Sequence, residues 1–204
     1  MRIYEDRSAP NPRRVRVFLA EKGIGDVEFV TVGIADGGIL TPEFLRRNPL
    51  AQVPVLELDD GSWLSDSMAI CRYFEYLRPT PALFGEPGLD AARVEMWNRR
   101  MEFEIFWPIA NVFRHQHSFF RGKHPQVAEF GDVSRAHAER RLDWLETELA
   151  DGRTYIAGDV YTVADITALC GIDFGRVSGI RIGEARPNLA RWHAAVSARP
   201  SAQA

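Results

Sequence analysis

Short apolar runs separated by turn residues organise the first part of this chain and predict alternating strands and helices. Met1–Tyr4 reads as a short strand, followed by a turn through Ser8, Pro10 and Pro12. A helix is expected from Arg13 to Lys22, with Val15, Phe18 and Leu19 at core spacing and Gly23 as its stop. Val27–Val32 reads as a second strand, and Thr41 caps a short helix with Pro42 at its first position. Val53–Leu58 and Ser62–Leu64 flank Asp59-Asp60-Gly61, a strong hairpin signal. Ser65 or Asp66 then opens a helix carrying Ile70, Tyr73, Phe74 and Leu77, which completes a β-α-β-α-β-β-α order over residues 1–78.

The segment 78–88 holds Pro79, Pro81, Gly85, Pro87 and Gly88, the densest group of breakers in the chain, and is expected to be a linker. Beyond it the apolar spacing is helical. Val94, Trp97, Met101, Ile105, Pro108 and Val112 mark a long helix, kinked where Pro108 cannot donate to Glu104 and crowds its carbonyl. Ala138, Leu142, Leu145 and Leu149 mark another, with Trp144 beside that face, while 121–131 reads as irregular or loosely helical. Thr162-Val163-Ala164-Asp165 has the form of a capping box, with Tyr161 against Ile166 as its hydrophobic staple. The helix it opens, Ile166 to about Arg176, is almost wholly apolar and so is expected at the centre of the second domain. A last helix begins near Pro187 and carries Leu189, Trp192 and Val196.

Composition narrows the classes. The chain has 204 residues, 46% of them hydrophobic and 26% charged, in the range of a soluble globular protein with a sizeable core. No apolar run approaches the roughly 18 residues of a membrane span, and MRIYEDRSAP lacks the apolar stretch of a signal peptide. A net charge of −3 and a pI near 6.0 give no pull towards nucleic acid. Local basic clusters such as Arg13, Arg14 and Arg16 are expected on a solvated helix face. The two cysteines, Cys71 and Cys170, lie inside apolar helical patterns and read as buried inert thiols in a reducing cytoplasm. No metal is expected: His115 and His117 are two apart and point to different sides of a helix.

Residues 51–67 carry the most chemistry. A Val-Pro pair starts one short strand and an Asp-Ser pair ends the next, an arrangement suited to a peptide-like ligand with a free amino-acid end. Gln52-Val53-Pro54, Asp66-Ser67 followed by Ala69-Ile70, the VADIT cap at 163–167, RVRVFLAEKGI in the first helix and TPEFLRRNP before the third strand combine in order. With them the chain resembles the cytosolic glutathione S-transferase superfamily, in particular bacterial and fungal members without the usual first-helix hydroxyl. The resemblance implies an α/β thioredoxin-like domain at 1–78, a linker at 79–88 and an all-helical domain at 89–204 that lines the second-substrate site. It implies conjugation of reduced glutathione to small hydrophobic electrophiles through a stabilised thiolate, by a cytoplasmic homodimer. Glutathione is then a co-substrate, with no cofactor, nucleic acid or membrane partner.

On that resemblance Val53-Pro54 is a cis pair whose Val53 amide and carbonyl meet the backbone of the ligand's cysteine, as a strand adds to a sheet edge. Gln52 offers its amide alongside. Ser67 and its amide take the glutamyl carboxylate at a helix start, and Asp66 faces the ammonium; capping alone by Ser65 or Asp66 is the other reading. The hydroxyl that helps ionise the thiol in relatives aligns with Ala9. Ser8, Asn11 or helix-end amides are therefore the candidates, with ordinary turn and cap chemistry as the alternative for both side chains. Ile39-Leu40 stands where many relatives carry a basic residue for the glycyl carboxylate, which implies weaker affinity or a substitute contact such as Arg13. Trp107, Asn111, Phe113, Arg114 and His115 are assigned to the second-substrate site, with His115 either in the proton path or at a surface or domain interface. Two other activities fit the same residues: a glutathione-dependent disulfide reductase or peroxidase, and a non-catalytic binding protein of this fold.

Overall fold

The computed structural model describes residues 1–204, which divide into two compact units: Met1–Ala82 with Gln203–Ala204, and Leu83–Ala202. In the first, β1 (Arg2–Glu5), β2 (Glu28–Thr31), β3 (Val55–Glu57) and β4 (Trp63–Ser65) form one sheet in the order β2-β1-β3-β4. β1 and β2 run parallel, which requires a crossover, and α1 (Pro10–Glu21) supplies it. β3 pairs antiparallel with both β1 and β4, the second pair closing through Gly61 at φ +81°. Ile3 lies opposite Leu56 and Tyr4 opposite Val55, so alternation sends these pairs to opposite faces of the sheet. On one face Tyr4 and Val55 join Phe44 of α2 (Pro42–Arg47) and Val53 in a small core. α1 packs against α3 (Ser67–Leu77), burying Val15, Phe18 and Leu19 from one helix and Ile70, Cys71 and Phe74 from the other.

α1 begins at Pro10, three residues before the expected Arg13. A helix's first amides have no intrahelical acceptor, so Pro10 and Pro12 sit in its opening turn without loss. The basic cluster is also placed differently. Arg14 and Arg16 are only 2% and 7% exposed, not on a solvated face. Side chains two apart on an α-helix point about 200° apart, so no single face holds both. Arg16 ion-pairs with the buried Glu5 carboxylate and donates to the Arg7 carbonyl, whereas Arg14 turns towards the start of α3.

In the second unit α4 (Leu89–Arg100) and α5 (Trp107–Gln116) are joined by a π-helical turn, Met101–Phe106. The distortion expected at Pro108 is spread over this turn: Pro108 gives Glu104 no amide, and the Trp107 amide donates instead to Glu102, five residues back. α7 (Val163–Gly175) runs against the turn, and at Gly171 an added Cβ would lie 2.9 Å from Phe106 Cβ, so the close approach needs glycine. α6 (Ala128–Glu148) starts inside the stretch expected to be loose. Its first residues carry no side-chain cap; the Val127 amide donates to His115 Nδ1, and Gln126 Nε2 donates to the Arg114 and His117 carbonyls. The start of α6 is thus fixed by α5, not by its own sequence. α7 is buried along nearly its whole length and opens with the expected Thr162–Asp165 capping box, and α8 (Pro187–Ser197) buries Leu189, Trp192 and Val196.

Candidate active site

Two helix starts of the first unit meet at a buried arginine. The turn before α1 is built by Asp6, whose Oδ1 accepts from the Ser8 amide at 3.0 Å and the Ser8 hydroxyl at 2.6 Å. Burial, the largest single influence, pushes the Asp6 carboxyl up, but the two Ser8 bonds and the Ile34 amide, which donates to Oδ2 at 3.0 Å, hold it below its usual range. The Ser8 hydroxyl is therefore committed to its own turn. Ala9 is the N-cap residue and packs against the Tyr4 core. Asn11, exposed in the first turn of α1, accepts at Oδ1 from Arg14 Nη1 at 3.3 Å.

The same Arg14 nitrogen donates to Ser67 Oγ at 3.3 Å. Ser67 is the first residue of α3 and is 3% exposed. Asp66 caps that helix through Oδ1, which accepts from the Met68 and Ala69 amides at 2.8 and 3.1 Å. Capping leaves the second carboxylate oxygen at the exposed rim, so the cap does not exclude an ammonium partner. Asp66 holds φ +78°, a conformation that non-glycine residues rarely adopt.

Between α2 and β3 the chain makes a tight approach to Val53-Pro54, which is cis. The β3 ladder begins only at Val55, so the Val53 amide and carbonyl take no part in it. Asn48, 3% exposed, holds this loop from inside: Oδ1 accepts from the Leu50 amide at 3.1 Å and Nδ2 donates to the Gln52 carbonyl at 2.8 Å. Gln52 itself is exposed. Asn48→Ala is expected to cost about 1–3 kcal/mol, because both loop groups lose a buried partner. Urea unfolding would show that loss, and a ligand docked on Val53 would bind more weakly by calorimetry.

Ile39 packs into the Tyr4 core, whereas Leu40 is 62% exposed. In the second unit Trp107 is 54% exposed, with the Arg114 guanidinium over its ring at 5.9 Å. Phe113 sits among Phe119, Phe120, His117 and Phe174, and Asn111 is buried. His115 faces α6: its Nδ1 accepts from the Val127 amide and its ring meets Phe130 at 5.0 Å. Burial, then His124 and Arg114, lower its pKa, in keeping with an acceptor nitrogen. The residues missed by reading the sequence are Arg14 and Asn48. A charged residue in a helix reads as exposed, and Asn48 carried only the weak turn signal of Asn-Pro.

A mixed four-stranded sheet with a cis-proline loop leading into its inner strand β3, in one unit, and an all-helical second unit define a thioredoxin-like fold with a helical C-terminal domain. Residues 9–77 match the family described as Glutathione S-transferase, N-terminal domain, and residues 110–200 match Glutathione S-transferase, C-terminal domain. Glutathione S-transferase 2 of Saccharomyces cerevisiae is 35% identical over 98% of this chain and 87% of its own length. The crystal structure of Gtt2 from Saccharomyces cerevisiae superposes with a TM-score of 0.94 at 34% identity, covering 100% of this chain and 99% of that one. A probable elongation factor 1-gamma 1 of Arabidopsis thaliana is 36% identical over 66% of this chain but only 31% of its own length. The chain belongs to the glutathione S-transferase family.

Proposed function

We propose that the protein conjugates reduced glutathione to small hydrophobic electrophiles. The observation that carries this reading is the pairing of Val53, outside the β3 ladder, with the Asp66–Ser67 helix start in one unit. Val53 takes the cysteinyl backbone of glutathione, Gln52 stands beside it, and Ser67 with the α3 amides takes the glutamyl carboxylate. Asp66 meets the ammonium through its second carboxylate oxygen. The bound thiol gives its proton to solvent water near the exposed start of α1, where Asn11 and the helix amides favour the anion. The thiolate then attacks the electrophilic carbon, forming a C–S bond as the leaving group departs with its electron pair. Trp107, Phe113 and Arg114 supply the aromatic and cationic surface for the electrophile; Asn111 and His115 lie on the same helix. Tyr76 and Leu77, exposed on α3 at 77% and 55%, support a homodimer, and the buried free cysteines suit the cytoplasm.

Retention on immobilised glutathione and conjugation of an aromatic chloride test the reading. Ser67→Ala is expected to raise the glutathione Kd about tenfold or more, through loss of a hydrogen bond to a carboxylate. Glutathione binding without activity towards any of a panel of electrophiles would overturn conjugation. One observation favours a second reading: the Ser8 hydroxyl is engaged and Ala9 has none, so no side-chain hydroxyl is left for the thiol at the start of α1. A disulfide- or peroxide-reducing enzyme would show tighter binding of oxidised than of reduced glutathione in thermal-shift titration. A binding module of this fold would show no shift with either.

A further inference from the structure

We infer that Arg14 is a positioning residue that sets the donor direction of Asn11 and Ser67 together, coupling the end of the site that ionises the thiol to the end that binds the glutamyl group. The inference rests on the proposed glutathione reading. It begins from the placement of an arginine only 2% exposed on α1, flanked by the buried Val15, Phe18 and Leu19, while the other buried arginine of that helix, Arg16, is paired with Glu5. A buried guanidinium requires acceptors, and one Nη1 carries two hydrogens. That nitrogen lies 3.3 Å from Asn11 Oδ1 and 3.3 Å from Ser67 Oγ, so it serves both at once.

The consequence follows from what each partner has left. Arginine has donors and no acceptor. Ser67 Oγ therefore accepts a hydrogen bond from Arg14, and its own O–H is directed elsewhere, as a donor to an incoming carboxylate. Asn11 receives at Oδ1, which fixes the amide with oxygen inward and the Nδ2 hydrogens outward, as donors to an anion. Without Arg14 the Asn11 amide rotates and presents oxygen or nitrogen equally, and the Ser67 hydroxyl spins. The positive charge at this point also favours the glutamyl carboxylate of the ligand, whereas its effect on the thiol passes through the Asn11 amide. Lysine does not replace this geometry, because its ammonium is a point charge on a flexible stem and not a fixed planar fork. In a chain with Ala9 at the usual hydroxyl position, Arg14 supplies by orientation what a hydroxyl would supply directly.

The test measures the bound thiol. The wild-type protein, saturated with reduced glutathione, is titrated by thiolate absorbance near 240 nm, and the Kd is taken by calorimetry. Arg14→Met is expected to raise the bound thiol pKa by about one unit, a tenfold loss of thiolate below that pKa, and to weaken binding at least tenfold. Arg14→Lys, which keeps the charge, is expected to recover affinity more than thiol ionisation; it also serves if Arg14→Met does not fold. Asn11→Ala and Arg14→Met/Asn11→Ala are expected to share one thiol pKa, because Arg14 acts on the thiol through Asn11. A merely structural role lowers the melting temperature and leaves the thiol pKa of the saturated complex unchanged. That result, or additive effects in the double variant, overturns the inference. Absence of glutathione binding in the wild type instead overturns the glutathione reading and this inference with it, and is seen before any variant is made.

Discussion

Replacing Asp165 by alanine is expected to remove about 3–5 kcal/mol of stability from the helical unit. Asp165 is fully buried, and its two oxygens accept from four donors. The Ile156 amide and Trp192 Nε1 reach Oδ1 at 2.9 and 2.8 Å, and the Thr162 amide and hydroxyl reach Oδ2 at 3.0 and 3.3 Å. One carboxylate therefore ties the start of α7, the preceding loop and α8. Asn is expected to be nearly as harmful, because its NH2 would face donors where the carboxylate oxygen accepts. Burial pushes the Asp165 carboxyl up to about 6 against the pull of its donors. Its folded-state pKa is thus above the unfolded value of 3.8, so the folded state binds the proton more tightly. The stability linked to that proton is present below about pH 4 and lost as pH rises through about 6, an effect of about 3 kcal/mol. Urea unfolding of wild type and Asp165→Ala between pH 4.5 and 7.5 checks both parts: the gap between them should narrow as pH rises. A gap that stays constant from pH 4.5 to 7.5 would show that the folded state does not hold the Asp165 proton more tightly than the unfolded chain.

What the sequence disclosed and what it concealed divide along the range of the interactions. The Thr41 cap, the Asp66 cap and the Thr162–Asp165 box each use a side chain and an amide a few residues apart, so the local pattern contains both partners. The hairpin at Asp59-Asp60-Gly61 is legible for the same reason. Arg14 and Arg16 were not, because their acceptors on α3 and β1 are distant in sequence and hydropathy assigns any charge to solvent. Pro108 announced a disturbance, but its resolution as a π-helical turn depends on packing against α7 at Gly171. The start of α6 was invisible because α5 provides its partners. In the site, Val53-Pro54 and Asp66-Ser67 stood out as motifs, whereas the side chains that hold them, Asn48 and Arg14, were hidden by being buried and polar.

Arg16→Met is expected to destabilise the sheet-bearing unit by about 3–5 kcal/mol, and the reason lies with the partner it leaves behind. The Glu5 side chain is 5% exposed and the Arg16 side chain 7%, so each neutralises the other away from water. Removing the guanidinium strands a carboxylate at the end of β1, and also withdraws the donor from the Arg7 carbonyl. Arg7 is exposed, so water replaces that second bond; nothing replaces the first. The double variant Glu5→Leu/Arg16→Met removes both charges and is expected to recover most of the loss, because a buried ion pair is worth little against apolar side chains of similar size. Equal loss in the single and double variants, measured by urea unfolding, would show that the stranded charge is not the cause. The pair also anchors both ends of the Asp6–Ala9 turn, with Glu5 before it and α1 after. Because leucine and methionine still pack these two ends together, the double variant should keep the wild-type bound thiol ionisation at saturating glutathione, which separates the work of Arg16 in holding the turn from that of Arg14 in aiming Asn11.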